Sequence, residues 1–189
     1  MNQILYIDTQ RLELIPCSLE VAQATINRDK PLLEKLLTAY VPDDWYTTEV
    51  QDFLPKYIQL LADDASQLGY GVWLMIRTDD STLVGDLGFG GKLAGEKAVG
   101  EEEVLGREVL EIGYEVLSAY RDRGYASEAV EALVNFAFTQ LQARKIIAHT
   151  PENNIPSIRV AEKVGMKNVG TVKLPDLPGV NVFKWELVK

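Results

Sequence analysis

Two arginines, a glycine, an alanine and a serine crowd into Arg121-Asp122-Arg123-Gly124-Tyr125-Ala126-Ser127, and together they describe a place for an anion. Upstream, Leu110, Ile112, Tyr114 and Val116 alternate with Glu111, Gly113 and Glu115, the period of one strand from Val109 to Val116. Downstream, Glu128, Glu131, Asn135 and Gln142 form a polar stripe opposite Val130, Leu133, Ala137 and Leu141, the period of a helix. The crowded segment is therefore the turn by which a strand enters a helix. The first amides of a helix lack intrahelical acceptors, and the macrodipole adds partial positive charge there. Gly124 removes a Cβ that would block a ligand, and Ala126 keeps the approach open. Arg121 and Arg123 bring full charges and Ser127 a hydroxyl donor, so a diphosphate fits the chemistry. An ordinary turn with two solvated arginines uses the same residues, and spacing alone does not separate the two readings.

Three stretches carry a resemblance that does. Arg-x-x-Gly-x-Ala after a strand ending at Val116 resembles the coenzyme A pyrophosphate motif of the GNAT N-acetyltransferases. Asn154-Ile155-Pro156-Ser157, followed by Arg159 to Met166, resembles the Asn-x-x-Ser helix of that superfamily's ribosomal-protein (Rim-type) branch. Thr9-Gln10-Arg11-Leu12-Glu13-Leu14 resembles that branch's first strand. The matches occur in the family's order and span nearly the whole chain.

The resemblance implies an α/β (α+β) fold over residues 1–189 as a single domain. Its central sheet would be mixed and mostly antiparallel, with a splayed strand pair and helices on both faces. It implies transfer of an acetyl group from acetyl-CoA, as co-substrate, to a primary amine by direct attack in a ternary complex. The acceptor would be a protein N-terminus or a small amine. The backbone at Tyr114, Glu115 and Val116 would pair with the pantetheine arm, and Arg121, Arg123, Gly124, Tyr125, Ala126 and Ser127 would hold the pyrophosphate. Asn154 would hold the arm, Ser157 would donate to the departing thiolate, and Glu111 would be the general base. Many members carry a tyrosine one turn beyond that serine as general acid; here Val160 and Ala161 occupy the region, which leaves Ser157. Read without the family, Asn154 is a helix cap, Ser157 a first-turn residue and Glu111 a polar residue on a half-exposed strand.

The elements that must position these residues are legible in outline. Arg11 to Pro16 alternates as a strand, Ser18 caps a short helix through about Ile26, and Pro31 opens another reaching Tyr40. Val50 to Ala65 repeats at helical spacing, interrupted by Pro55, so that helix is kinked or starts late. Between these helices lie Asp43, Asp44, Trp45 and Tyr46; in the family this connection forms one wall of the acceptor site, which assigns Trp45 and Tyr46 to substrate binding. The bland alternative is a loop with a packed Trp and solvated acids. Gly71 to Arg77 and Leu83 to Gly90 form a hairpin about Thr78 to Ser81. Gly91 to Arg107, with Glu96 and Glu101 to Glu103, reads as an inserted solvated loop. Lys145 to Thr150 is a buried-type strand. Its His149 invites a general-base assignment, yet the family places its acceptor chemistry elsewhere, and a His ending a strand is usually just hydrogen-bonded. Val169 to Leu174 and Val180 to Lys189 close the chain as a hairpin, with Phe183, Trp185 and Leu187 facing inward.

Composition narrows the function further. With 47% hydrophobic and 25% charged residues, the chain has the make-up of a globular protein with a real core. No apolar run approaches the ~20 residues of a membrane span, and the first residues lack a signal pattern. One cysteine, Cys17, forms no internal disulfide and suits a reducing cytoplasm. A single histidine and no Cys cluster speak against a metal site. A net charge of −9 argues against nucleic acid as partner. Two competing classes stay open: a coenzyme-A-binding regulatory or degenerate module, and a phosphate-binding α/β protein, although the turn lacks a P-loop's Gly-Lys-Ser/Thr. The chain would act as a monomer or a homodimer.

Overall fold

The computed structural model describes residues 5–46, 48–89, 108–174 and 177–189, with backbone alone at 48 and 49. The expected loop of residues 91–107 and the tip of the closing hairpin at 175–176 lie outside the described residues. The chain divides into two compact units, Met1–Gly88 with Tyr114–Tyr125, and Phe89–Gly113 with Ala126–Lys189.

The first unit builds a sheet from β1 (Ile7–Asp8), β2 (Leu12–Pro16), β3 (Val72–Arg77), β4 (Leu83–Gly88) and β6 (Gly113–Val116), in the order β1-β2-β3-β4-β6. The pairs β1/β2, β2/β3 and β3/β4 are antiparallel. Helix α1 (Leu19–Ile26) is capped by Ser18, whose Oγ accepts from the Val21 N–H at 3.3 Å. Helix α2 (Lys30–Leu37) is capped by Asp29 and carries Pro31 in its first turn. It stops at Leu37 rather than Tyr40, because Thr38 turns left-handed and Tyr40 instead bridges to Thr82 beside β4. Helix α3 (Thr48–Asp63) begins before Pro55 and runs through it. A proline inside a helix costs ~3 kcal/mol. Burial of Val50, Leu54, Tyr57 and Leu61 on one face, at ~1.5–3 kcal/mol each, outweighs that.

The second unit orders its strands β5 (Val109–Glu111), β7 (Lys145–Pro151), β9 (Val182–Val188) and β8 (Lys167–Val172). β5 runs parallel to β7, and the other pairs are antiparallel. Helix α4 (Tyr125–Thr139) takes its first residue from the first unit and buries Ala129, Val130, Leu133, Val134 and Ala137. It ends before Leu141 and Gln142, so the expected polar stripe stops at Asn135; Gln142 is left-handed. Helix α5 (Ile155–Val164) follows β7 and ends on left-handed Gly165. Of the closing hairpin's expected inward residues, Trp185 is buried, while Phe183 and Leu187 are half-buried.

One expectation needs correction. Val109 to Val116 is not one strand but two, belonging to different sheets. The β7 ladder extends as far as Ile112, whose N–H donates to the Ile147 carbonyl at 2.8 Å. From Tyr114 the chain runs beside β4, and Leu117 N–H donates to the Val84 carbonyl at 2.9 Å. The alternation survives the break because both halves bury the same parity of residue, Leu110 and Ile112 in one and Val116 in the other. The architecture is otherwise the expected mixed, mostly antiparallel α/β class. Among the described residues no helix is long and apolar enough to cross a membrane.

Candidate active site

In the first unit the candidate anion-binding turn is built in steps. After Val116 the backbone makes a 3₁₀ turn over Ser118–Tyr120, runs extended at Arg121, and turns left-handed at Asp122 (φ 60°) and Gly124 (φ 83°). Helix α4 then starts at Tyr125. A Cβ at Gly124 would meet only Arg11 Nη2, at an ordinary 3.5 Å, so the backbone angle rather than crowding within the protein requires glycine.

The arginines are braced as well as displayed. Arg121 Nε donates to the Val116 carbonyl at 2.8 Å and its Nη2 to Glu115 Oε1 at 3.3 Å. Arg123 Nη2 donates to the Ala119 carbonyl at 3.2 Å, and the group lies 5.8 Å from the centre of the Tyr120 ring. These side chains are exposed, so each contact adds little stability, but jointly they restrict where the charges sit. Two further arginines enter that sequence reading did not assign to the site. Arg11 Nη1 donates to the Arg123 carbonyl at 2.9 Å and lies 4.8 Å from the Tyr125 ring centre. Arg77 lies 5.9 Å from Tyr125 and 6.0 Å from Tyr120, and is itself paired with Asp79 and Asp80. The hydrogen bond from Arg77 holds the Asp79 carboxyl below its usual range. Leu12 faces Arg77 across the β2/β3 register, which brings the two arginines to one end of those strands. Tyr125 and Ser127 are both buried, and Ala126 is half-buried.

The strand residues assigned to the pantetheine arm follow a close approach of β4 to β6. A Cβ at Gly85 would lie 2.2 Å from the Glu115 carbonyl oxygen and 2.9 Å from Val116 Cα. Tyr114 and Glu115 are half-buried and Val116 is buried.

The acceptor-wall residues divide. Trp45 is 1% exposed and sits in the core cluster with Leu54 and Tyr57, which accounts for it without an acceptor. Tyr46 is half-buried, with Arg28 5.7 Å from its ring centre, and burial above all pushes its phenol pKa up. Trp45 Nε1 and Tyr46 Oη are buried with no hydrogen-bond partner among the described residues. Asp43 holds Lys30 at 2.7 Å, so its charge is already met by a cation.

In the second unit Glu111 ends β5 just before the break. His149 Nδ1 lies 2.8 Å from Glu111 Oε1, a partnership that strand periodicity could not reveal. Asn154 Oδ1 accepts from the Ser157 N–H at 3.3 Å and so caps α5; Pro156 is tolerated in that first turn. Ser157 is half-buried. Among the described residues no cluster of three or more His, Cys, Asp or Glu could hold a metal ion.

Known proteins resemble this chain. Residues 11–167 match the model of the acetyltransferase (GNAT) domain. The N-acetyltransferase YnaD of Bacillus subtilis (strain 168) is 32% identical over 135 residues, covering 71% of this chain and 68% of that protein. YjdG of the same strain, also an N-acetyltransferase by name, is 24% identical over 160 residues, 84% of this chain and 88% of its own. Among solved structures, the ribosomal-protein-S5-alanine acetyltransferase of Vibrio fischeri superposes with a TM-score of 0.64 at 12% identity, covering 97% of this chain and 96% of its own. That last likeness concerns the fold. The family match covers both the braced turn and the Asn-x-x-Ser helix, and the chain belongs to the GNAT acetyltransferase family.

Proposed function

We propose that this acyltransferase moves the acetyl group of acetyl-CoA onto a primary amine, either a protein N-terminal α-amine or a small amine, by direct attack in a ternary complex. The observation that carries the reading is the turn at Arg121 to Tyr125, where a left-handed glycine opens a helix N-terminus between braced arginines. Free amides, a macrodipole and fixed cations together suit a pyrophosphate.

When bound, acetyl-CoA supplies an activated thioester, so no protein nucleophile is required. The chain's own tasks are then to orient, to remove a proton and to stabilise negative charge. Tyr114, Glu115 and Val116 offer strand backbone for the arm; Arg121, Arg123, Gly124, Tyr125, Ala126 and Ser127 hold the diphosphate. Asn154 caps α5 and holds the pantetheine arm, and Ser157 in the first turn of α5 donates to the leaving thiolate. Glu111 takes the amine proton, directly or through water. Tyr46 contributes to the acceptor wall, with Trp45 packed behind it. The matched domain model runs across both compact units, which supports one catalytic domain over the chain. Cys17 is a buried free thiol, as a reducing cytoplasm would allow.

The test is acetyl-CoA turnover against a panel of amines and peptides with free N-termini, read as thiol release and as acetylated product. Acetylation of at least one amine supports the reading. Tight coenzyme A binding with no transfer across the panel would favour a regulatory module, and binding of ATP but not coenzyme A would remove the cofactor assignment.

A further inference from the structure

We propose that His149 is a positioning residue for the Glu111 carboxylate: its Nδ1–H holds Oε1, leaving Oε2 to take the acceptor's proton. The inference rests on the acyl-transfer reading above. Glu111 stands opposite Ile147 in the parallel β5/β7 pair, and His149 lies two residues further along β7 on the same face. That register brings Nδ1 to 2.8 Å from Oε1. The imidazole side chain is 6% exposed and the carboxylate side chain 24%, so the holder is buried and the held group is partly open.

The proton on that contact can be assigned from chemistry. An ionised carboxylate only accepts, so Nδ1 carries the hydrogen; in the neutral ring Nε2 then keeps the lone pair. Nε2 is buried and has no hydrogen-bond partner among the described residues. An unmet buried polar atom costs ~1–3 kcal/mol, and an apolar side chain of similar size would avoid it. The ring therefore serves the contact at Nδ1, not the packing of the sheet. Around it on the same sheet face, Lys184 stands opposite His149 in β9 and reaches Glu186 at 3.1 Å, as Lys145 does at 3.8 Å. An arginine or lysine in place of His149 would also orient a carboxylate, but its full charge would weaken any base it touched. A neutral imidazole donor orients without that penalty.

Two variants and one spectrum test this. His149→Phe fills the space without a donor, while His149→Asn keeps an N–H near Nδ1. With acetyl-CoA and an alanyl peptide of free N-terminus as probe, His149→Phe should lower kcat ~10- to 100-fold with the KM for acetyl-CoA unchanged, the scale of a small misplacement. His149→Asn should recover most of that loss. In a Glu111→Gln background, His149→Phe should change kcat by less than about threefold, since both act through one group. Because His149 is the only histidine, 15N NMR reads its tautomer directly; an Nδ1–H ring in the wild type that loses its preference in Glu111→Gln supports the proposal. A ring protonated at Nε2 alone in the wild type overturns it, even for an enzyme inactive on the peptide. An enzyme that needs Glu111 but is indifferent to His149→Phe overturns the positioning role and leaves the acyl-transfer reading intact. Full activity in Glu111→Gln removes the base from that reading, and the positioning role with it.

Discussion

Arg11 Nη1 donates to the Arg123 carbonyl at 2.9 Å while its guanidinium lies 4.8 Å from the Tyr125 ring centre, so a residue just before β2 braces a turn 112 positions away. Replacing it removes at least this exposed hydrogen bond and this cation–π contact, each ~0.5–1 kcal/mol. Arg11→Ala should therefore lower unfolding stability by ~1–2 kcal/mol and weaken coenzyme A binding several-fold by loosening the turn. Denaturant unfolding and calorimetric titration of coenzyme A check both. Unaltered affinity in a destabilised protein would confine Arg11 to the fold.

Gly124 separates two causes for one glycine. Its φ of 83° costs ~1–2 kcal/mol for a Cβ-bearing residue, whereas Asn tolerates it better. A Val side chain should add obstruction of the diphosphate, at ~10-fold or more in coenzyme A affinity, ~1.4 kcal/mol. Affinity should therefore fall in the order wild type, Gly124→Asn, Gly124→Val. A folded Gly124→Val protein binding coenzyme A as wild type would remove the diphosphate from this turn.

Gly85→Ala should be severe and Gly113→Ala mild, although both glycines lie in strands of this region. A Cβ at Gly85 meets the Glu115 carbonyl oxygen at 2.2 Å, and at Gly113 nothing lies within 4 Å. Forced parting of β4 and β6 should cost ~1–3 kcal/mol, the scale of overpacking. Thermal unfolding of the two variants side by side is the check, and equal midpoints would contradict the close approach.

Ser157→Ala should lower kcat ~10- to 1000-fold with acetyl-CoA affinity preserved, the range for removing one positioned donor. Asn154 caps α5 through the Ser157 backbone N–H, which the change leaves in place, so the helix should survive. Asn154→Ala, by contrast, should cost ~1 kcal/mol of stability through the lost cap. Wild-type kcat in Ser157→Ala, measured where chemistry limits the rate, would return the serine to a structural role.

Glu111→Gln should reduce transfer ~100-fold or more while coenzyme A binding stays intact, within the span of general-base catalysis. An amine that arrives protonated must lose a proton, so wild-type transfer should rise with pH. Activity within about threefold of wild type at every pH, following the amine's own ionisation, would sink the base assignment.

Local chemistry alone determined a good share of this protein. Helix caps at Ser18, Asp29 and Asn154 act through backbone groups three residues away, so their spacing is visible in the chain. The helix-entry turn was legible for the same reason, since Gly124 answers to its own φ and the arginines beside it are bonded to carbonyls within five residues. The family's other motifs are similarly short and ordered.

Tertiary structure decided what depends on which strands become neighbours. A period-2 pattern states which residues share a face but not which strand lies alongside, and so Val109 to Val116 concealed a change of sheet after Ile112. Spacing leaves Trp45 open between wall and core, and its burial beside Leu54 and Tyr57 depends on how distant elements pack. Arg11 and Arg77 reach the turn only because β2 and β3 pair in one register, and His149 reaches Glu111 only because β5 and β7 run parallel. Contacts across 38 and 112 positions leave no local trace in the sequence, because the energy that selects them comes from long-range packing and strand pairing.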